Sequence, residues 1–195
     1  MLFSRKGVKV INTIDKLYSA FDNLFKGIEE DCKKCDYSRC LGYVWLLSQE
    51  AERMVDNGLE VLQINENLFF INSFPVINRK INVEQFKPQC PFLDDGRCSI
   101  YDNRPLSCRM YPLSFYIENG ILQLVLHLDC LYSRHRMNCR IFKENSLAIL
   151  QRVEKNLLKE IAETYRQVFA ISKFPQGGNH CTVIGSLDFL YSERR

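Results

Sequence analysis

Residues 90–112 read CPFLDDGRCSIYDNRPLSCRMYP, and the fold is read outward from them. Three cysteines, Cys90, Cys98 and Cys108, stand here among turn-formers, arginines and tyrosines. Asp95-Gly96 is a strong tight-turn dipeptide, so the chain should fold back there and bring Cys98 to the side of Cys90. Pro105 suits the first position of a helix and Pro112 forbids its continuation, which predicts one or two helical turns over Leu106 to Tyr111 with Cys108 inside. A thiol in the first turn of a helix lies at its positive end, where thiolate is favoured, and Arg104 and Arg109 act in the same sense. Crowded thiolates repel unless a cation sits between them. The stretch therefore reads as a metal site.

A chain of 195 residues with 46% apolar content is long enough to bury a core of its own as a single domain. The net charge of +3 is small and does not by itself indicate nucleic acid or membrane. The apolar runs are too short to span a bilayer, and residues 1–10 (MLFSRKGVKV) lack the apolar centre of a secretory signal. These features predict a cytoplasmic protein with no membrane association. Nine cysteines are many, odd in number and clustered, which favours metal ligation in a reducing compartment over a disulfide framework.

Upstream, apolar residues at helical spacing from Ile14 to Ile28 predict one helix beginning near Asn12. It runs into Cys32, Cys35 and Cys40, expected in a short polar loop. Cys32 and Cys35 have the spacing that lets two sulfurs and nearby amides wrap one ion. A second helix is predicted from Cys40 or Leu41 to Asn57-Gly58. Short β-type runs over residues 59–86 predict a small antiparallel sheet. Downstream of the central stretch, Asn119-Gly120 joins Leu113–Ile117 to Ile121–Leu128 in a hairpin whose end delivers Cys130. Residues 130–140 read as a basic loop and residues 145–170 as one long helix. His127, in an apolar strand, is expected to face solvent or to satisfy a backbone group, and the state of residues 179–195 is left open. The prediction is an α+β fold in one domain over residues 1–195. In it, helices flank a small antiparallel sheet that carries a cysteine-rich metal-binding insert, with the cluster core at about residues 32–130.

The candidate ligands are Cys32, Cys35, Cys40, Cys90, Cys98, Cys108 and Cys130. A four-thiolate centre carries a formal charge near −2, which Lys33, Lys34, Arg39, Arg104 and Arg109 can offset. Tyr101 and Tyr111 are expected to pack around the site, with Arg104 and Arg109 supporting it. The elements C-P-F-L, C-S-I-Y, R-P and C-R-M-Y-P, preceded by a Cys-x-x-Cys cluster and followed by a lone cysteine, resemble the zinc- or iron-chelating CxxCxxCC family. That family includes the flagellin lysine N-methylases. In it the first cluster usually closes on two adjacent cysteines, whereas here Cys40 stands between Arg39 and Leu41. Either Cys139, Cys181 or His180 replaces the absent ligand, or a coordination position stays open.

Function is accordingly expected to be metal binding, with a 4Fe-4S cluster favoured over zinc because only one Cys-x-x-Cys knuckle is present. An alternative, implied by the resemblance, is a lysine N-methyltransferase-like enzyme using S-adenosylmethionine at an open cluster site. Against it, neither a C-x-x-x-C-x-x-C spacing nor a glycine-rich βα turn is present. A zinc-stabilised nucleic-acid module, motivated by Arg134, His135, Arg136 and Arg140, is disfavoured by the small net charge. The partner is then an unidentified protein or small molecule. No motif of serine, P-loop or H-E-x-x-H chemistry occurs.

Overall fold

The computed structural model describes residues 9–34, 44–71, 90–94, 97–136, 138–172 and 181–187. Helix α1 (Ile14–Leu24) starts at Thr13, whose hydroxyl accepts the N–H of Lys16, rather than at Asn12. It buries Ile14, Leu17 and Phe21. The apolar stripe does not continue as one helix. Gly27 adopts φ +87°, a left-handed conformation that glycine takes without a Cβ penalty, and the chain turns there into α2 (Ile28–Lys34). Cys32 consequently lies on a helix and not in a polar loop.

The predicted helix from residue 40 also gives way. Residues 40–43 lie outside the described residues; of the remainder, Trp45–Leu46 form strand β1 and Ser48–Asp56 are helical, as α3. Val44 to Leu47 are all buried, and so short an apolar run fits a covered strand as well as a helix. Pairing with Phe70 and Phe69 decides it. Strands β2 (Val61–Asn65) and β3 (Leu68–Ile71) complete an antiparallel sheet of order β1-β3-β2. The rest of the predicted strand region, residues 72–89, lies outside the described residues.

In the central stretch, β4 (Leu93–Asp94) pairs with β5 (Arg97–Cys98) in the register Leu93↔Cys98 and Asp94↔Arg97. This is the fold-back expected around Asp95-Gly96, which themselves lie outside the described residues. A 3₁₀ turn (Tyr101–Asn103) leads to helix α4 (Leu106–Met110) with Cys108 inside. Pro105 takes the capping position just before the helix.

Strands β6 (Leu113–Glu118) and β7 (Ile121–His127) form the predicted hairpin, with positive φ at Asn119 and Gly120 as a two-residue primed turn requires. The basic segment is not all loop, because Leu131–Arg134 form α5 with Cys130 as cap. The single long C-terminal helix is two helices, α6 (Arg140–Gln151) and α7 (Lys155–Ser172). They are separated where Ile11 bonds across the break: its N–H donates to Arg152 O, and its carbonyl accepts from Glu154 N–H, both at 2.8 Å. Beyond them β8 (Cys181–Ser186) adds to β7, a strand that sequence reading left open.

One large core joins α1, α4, β6, β7, α6 and α7, with Phe21, Leu106, Leu113, Phe115, Leu122 and Leu150 at 1% exposure or less. Each such side chain contributes roughly 1.5–3 kcal/mol by leaving water. A smaller core of Val44, Leu46, Ala51, Met54 and Ile71 sits under β1, α3 and β3. Phe92 and Cys108 pack against it. The central cysteine stretch is therefore seated on the small core, and α4 ties it to the large one through Leu106 and Met110. Among the described residues no helix is long and apolar enough to cross a membrane.

Candidate metal centre

No disulfide joins the described cysteines: Cys32, Cys90, Cys98, Cys108 and Cys181 are half-buried, Cys130 is buried and Cys139 is exposed. Cys35, Cys40 and His180 lie outside the described residues. Around Cys90 the chain turns tightly, with Leu93 N–H donating to Cys90 O at 3.1 Å. Burial pushes the Cys90 thiol up, the backbone N–H groups of Phe92 and Leu93 pull it back by bonding its sulfur, and the nearby Cys98 raises it again. Backbone amides converging on a sulfur stabilise charge on a thiolate, while a second thiolate nearby opposes it unless a cation is shared between the two. That donor chemistry fits zinc or an iron–sulfur cluster, both of which take thiolate sulfur.

Cys108 shares the small core with Phe92. Burial pushes the Tyr101 phenol up, Arg104 opposes this, and the charges of Glu29 and, behind it, Cys32 on α2 add to the rise. Helix α2 and the 3₁₀ turn of the central stretch line one cleft, through Glu29 and Tyr101. Helices α2 and α5 are in contact, and both Cys32 and Cys130 join the large core. Cys139, exposed at the start of α6, stands on the surface. Among the described residues no three Cys, His, Asp or Glu side chains gather as a metal cage.

The two arginines are built into the turn between Cys98 and Cys108. Arg104 stacks 3.7 Å from the Tyr101 ring centroid and donates from Nε to Tyr101 O at 2.9 Å. Arg109, 8% exposed, donates to Arg104 O, Asp102 O and the Asp22 carboxylate and covers the Tyr18 ring. Its fork therefore closes the loop ahead of α4 onto α1. Lys33 instead pairs with Glu29 and Glu30 on an exposed face. Tyr111 stacks on His127 with ring centroids 5.7 Å apart.

Sequence reading missed Glu50. Its side chain is 1% exposed, and its carboxylate accepts from Tyr18 OH, Leu47 N–H and Leu106 N–H. Its place at the third position of α3 hinted at a cap, but its distant partners left no local trace. Asp22 and Tyr18 were missed for the same reason. A polar cleft of about 900 Å³ opens beside this network, lined among others by Asp22, Glu29, Arg53, Tyr101 and Arg104. The basic segment also has internal partners: Arg134 bonds Leu128 O, Arg136 stacks on Tyr132, and Arg140 pairs with Glu144.

Comparison with curated proteins and with solved structures returns no match. A family model does match residues 30–123: CxxCxxCC, with the description "Putative zinc- or iron-chelating domain". The matched span takes in Cys32 and the whole central stretch, and it ends inside β7 before Cys130. Over residues 30–123 the chain matches the CxxCxxCC family, the one its cysteine motifs resemble.

Proposed function

We propose that this protein binds metal through thiolates drawn from Cys32, Cys35, Cys40, Cys90, Cys98, Cys108 and Cys130, in one four-ligand site or two neighbouring ones, and that the bound group is an iron–sulfur cluster of the 4Fe-4S type. The observation that carries the reading is the Cys90 turn, where two backbone amides address the sulfur and Cys98 stands across a short ladder. The family match over residues 30–123 supports the metal class, zinc or iron. Iron–sulfur is preferred because seven cysteines flank a single Cys-x-x-Cys knuckle, whereas a zinc ribbon wants two. Arg104 and Arg109 hold the turn from Cys98 to Cys108 in place, and the cluster would supply electron transfer or structural cross-linking.

A second reading, a methyl-transferring enzyme that uses S-adenosylmethionine, is favoured by one feature, the cleft of about 900 Å³ next to Tyr101 and Arg104. That size is within the range of small-molecule sites. The metal reading is tested by anaerobic purification followed by an absorbance spectrum and by iron, zinc and sulfide analysis. Broad absorbance in the blue with stoichiometric sulfide supports a cluster, a colourless zinc protein selects zinc, and a metal-free chain overturns both. S-adenosylmethionine that fails to bind the anaerobic protein in calorimetry, with and without reductant, removes the second reading.

A further inference from the structure

Outside the family-matched span, β8 brings Cys181 directly opposite His127 of β7. The Cys181 sulfur lies 3.3 Å from His127 Nδ1, and His127 Nε2 lies 2.9 Å from Ser114 Oγ on β6. The three side chains form a row across three neighbouring strands. In the tautomer that suits the row, the Ser114 hydroxyl donates to Phe115 O at 3.3 Å and accepts from Nε2–H, which leaves Nδ1 to accept the Cys181 thiol proton. Tyr111 stacks on the imidazole at 5.7 Å with the planes 30° apart, fixing the ring from one face.

A nucleophile in hydrogen-bond reach of a base, with that base oriented by a third group, is the arrangement that activates a thiol. We infer that Cys181 is a reactive thiol whose proton is taken by His127, positioned by Ser114, and that it undergoes exchange with low-molecular-weight disulfides. In the step, the Cys181 proton passes to Nδ1 as the sulfur attacks one sulfur of the disulfide. A Cys181–sulfur bond forms and the disulfide bond breaks, and the departing thiolate takes the proton back from the imidazolium to leave as thiol. The disulfide is the oxidant, and no further reactant is needed. Burial, and secondarily Asp129, push the Cys181 thiol up, so reactivity runs through the transfer to His127 rather than through a standing thiolate. A metal half-site is the competing occupant, but the described residues gather only these two ligands here.

The test treats anaerobically purified full-length protein with glutathione disulfide at neutral pH. The reaction is quenched in acid, and modification at Cys181 is read against exposed Cys139 by peptide mapping. General-base assistance commonly supplies about 10²–10⁴-fold, partly offset by burial, so Cys181 is expected to react about tenfold faster than Cys139. His127→Asn and His127→Gln should bring Cys181 to the rate of Cys139 or below while Cys139 keeps its rate. Ser114→Ala should slow Cys181 severalfold, and it decides the matter if the His127 variants do not fold. Equal or slower modification of Cys181 in the unaltered protein, or no change on substituting His127 or Ser114, overturns the inference. So does zinc that blocks Cys181 until a chelator removes it.

Discussion

The backbone N–H of Leu106 donates at 2.6 Å to the carboxylate of Glu50, which is 1% exposed. Through this bond α3 holds the N-terminal end of the short helix that carries Cys108, while the same carboxylate accepts from Leu47 N–H at 2.9 Å and from Tyr18 OH on α1. Removing it strands three buried donors. Glu50→Ala should lower unfolding free energy by about 3–5 kcal/mol, and Glu50→Gln, which keeps one acceptor oxygen, by about 1–3 kcal/mol. Urea denaturation followed by circular dichroism checks both values, and a loss below 1 kcal/mol for alanine contradicts this role.

The same residue gives a pH signature. Burial pushes its carboxyl above the ordinary 4.5, with Tyr18, Leu47 and Leu106 as donors that only partly offset it. A folded value above the unfolded one means that the contribution is complete below 4.5 and fades as pH rises through the folded value. The stability advantage of the unaltered protein over Glu50→Gln should therefore shrink as pH rises above 4.5. A constant or widening gap would show that Glu50 is not raised.

Arg109 is predicted to be irreplaceable by lysine. Its guanidinium serves the Asp22 carboxylate and two backbone carbonyls at once, a fork that a single ammonium cannot reproduce. Arg109→Lys and Arg109→Ala should each cost about 2–4 kcal/mol and should reduce retained metal, because the turn before Cys108 loosens. Chemical denaturation with parallel metal analysis checks the pair. Full metal retention in a destabilised Arg109→Lys protein would separate the scaffold from the site.

Metal retention should follow the thiols of the central stretch. Even loss of an outer hydrogen-bond partner commonly lowers metal affinity about 10–100-fold, so Cys90→Ser and Cys98→Ser should each lower it at least that much. Cys139→Ser, on the surface, should leave it unchanged. Competition with a metal chelator under anaerobic conditions measures this. Equal retention in all three variants would remove Cys90 and Cys98 from the ligand set.

Stripping the metal should also lower the melting temperature. A ligand present at about 1,000 times its Kd stabilises the folded state by about 4 kcal/mol. At about 2–4 °C per kcal/mol for a chain of this size, that is roughly 8–16 °C. Calorimetry before and after chelation under reductant gives the figure, and an unchanged melting temperature would mean that the metal does not couple to the fold.

The local signals were legible where the chemistry is local. Asp95-Gly96 announced the β4–β5 fold-back, Asn119-Gly120 the β6–β7 turn, and Pro105 and Pro112 the bounds of α4. Tertiary partners decided the rest. Trp45 and Leu46 became a strand because Phe70 and Phe69 were there to pair with. The C-terminal helix broke at Arg152 and Glu154 because Ile11 bonds there. The thiols were visible as a set, but Glu50, Tyr18 and Asp22, which hold the helix of Cys108, carry no motif. His127 was expected to face solvent or backbone, yet pairs with Cys181 and Ser114, because β8 had not been foreseen.

X-ray absorption at the edge of whichever metal co-purifies tests the central claim most directly, since it counts the atoms bound to that metal. A first shell made of sulfur at about 2.3 Å is the predicted result. A shell of nitrogen and oxygen alone, near 2.0–2.2 Å, would contradict thiolate ligation by the cysteines of residues 32–130.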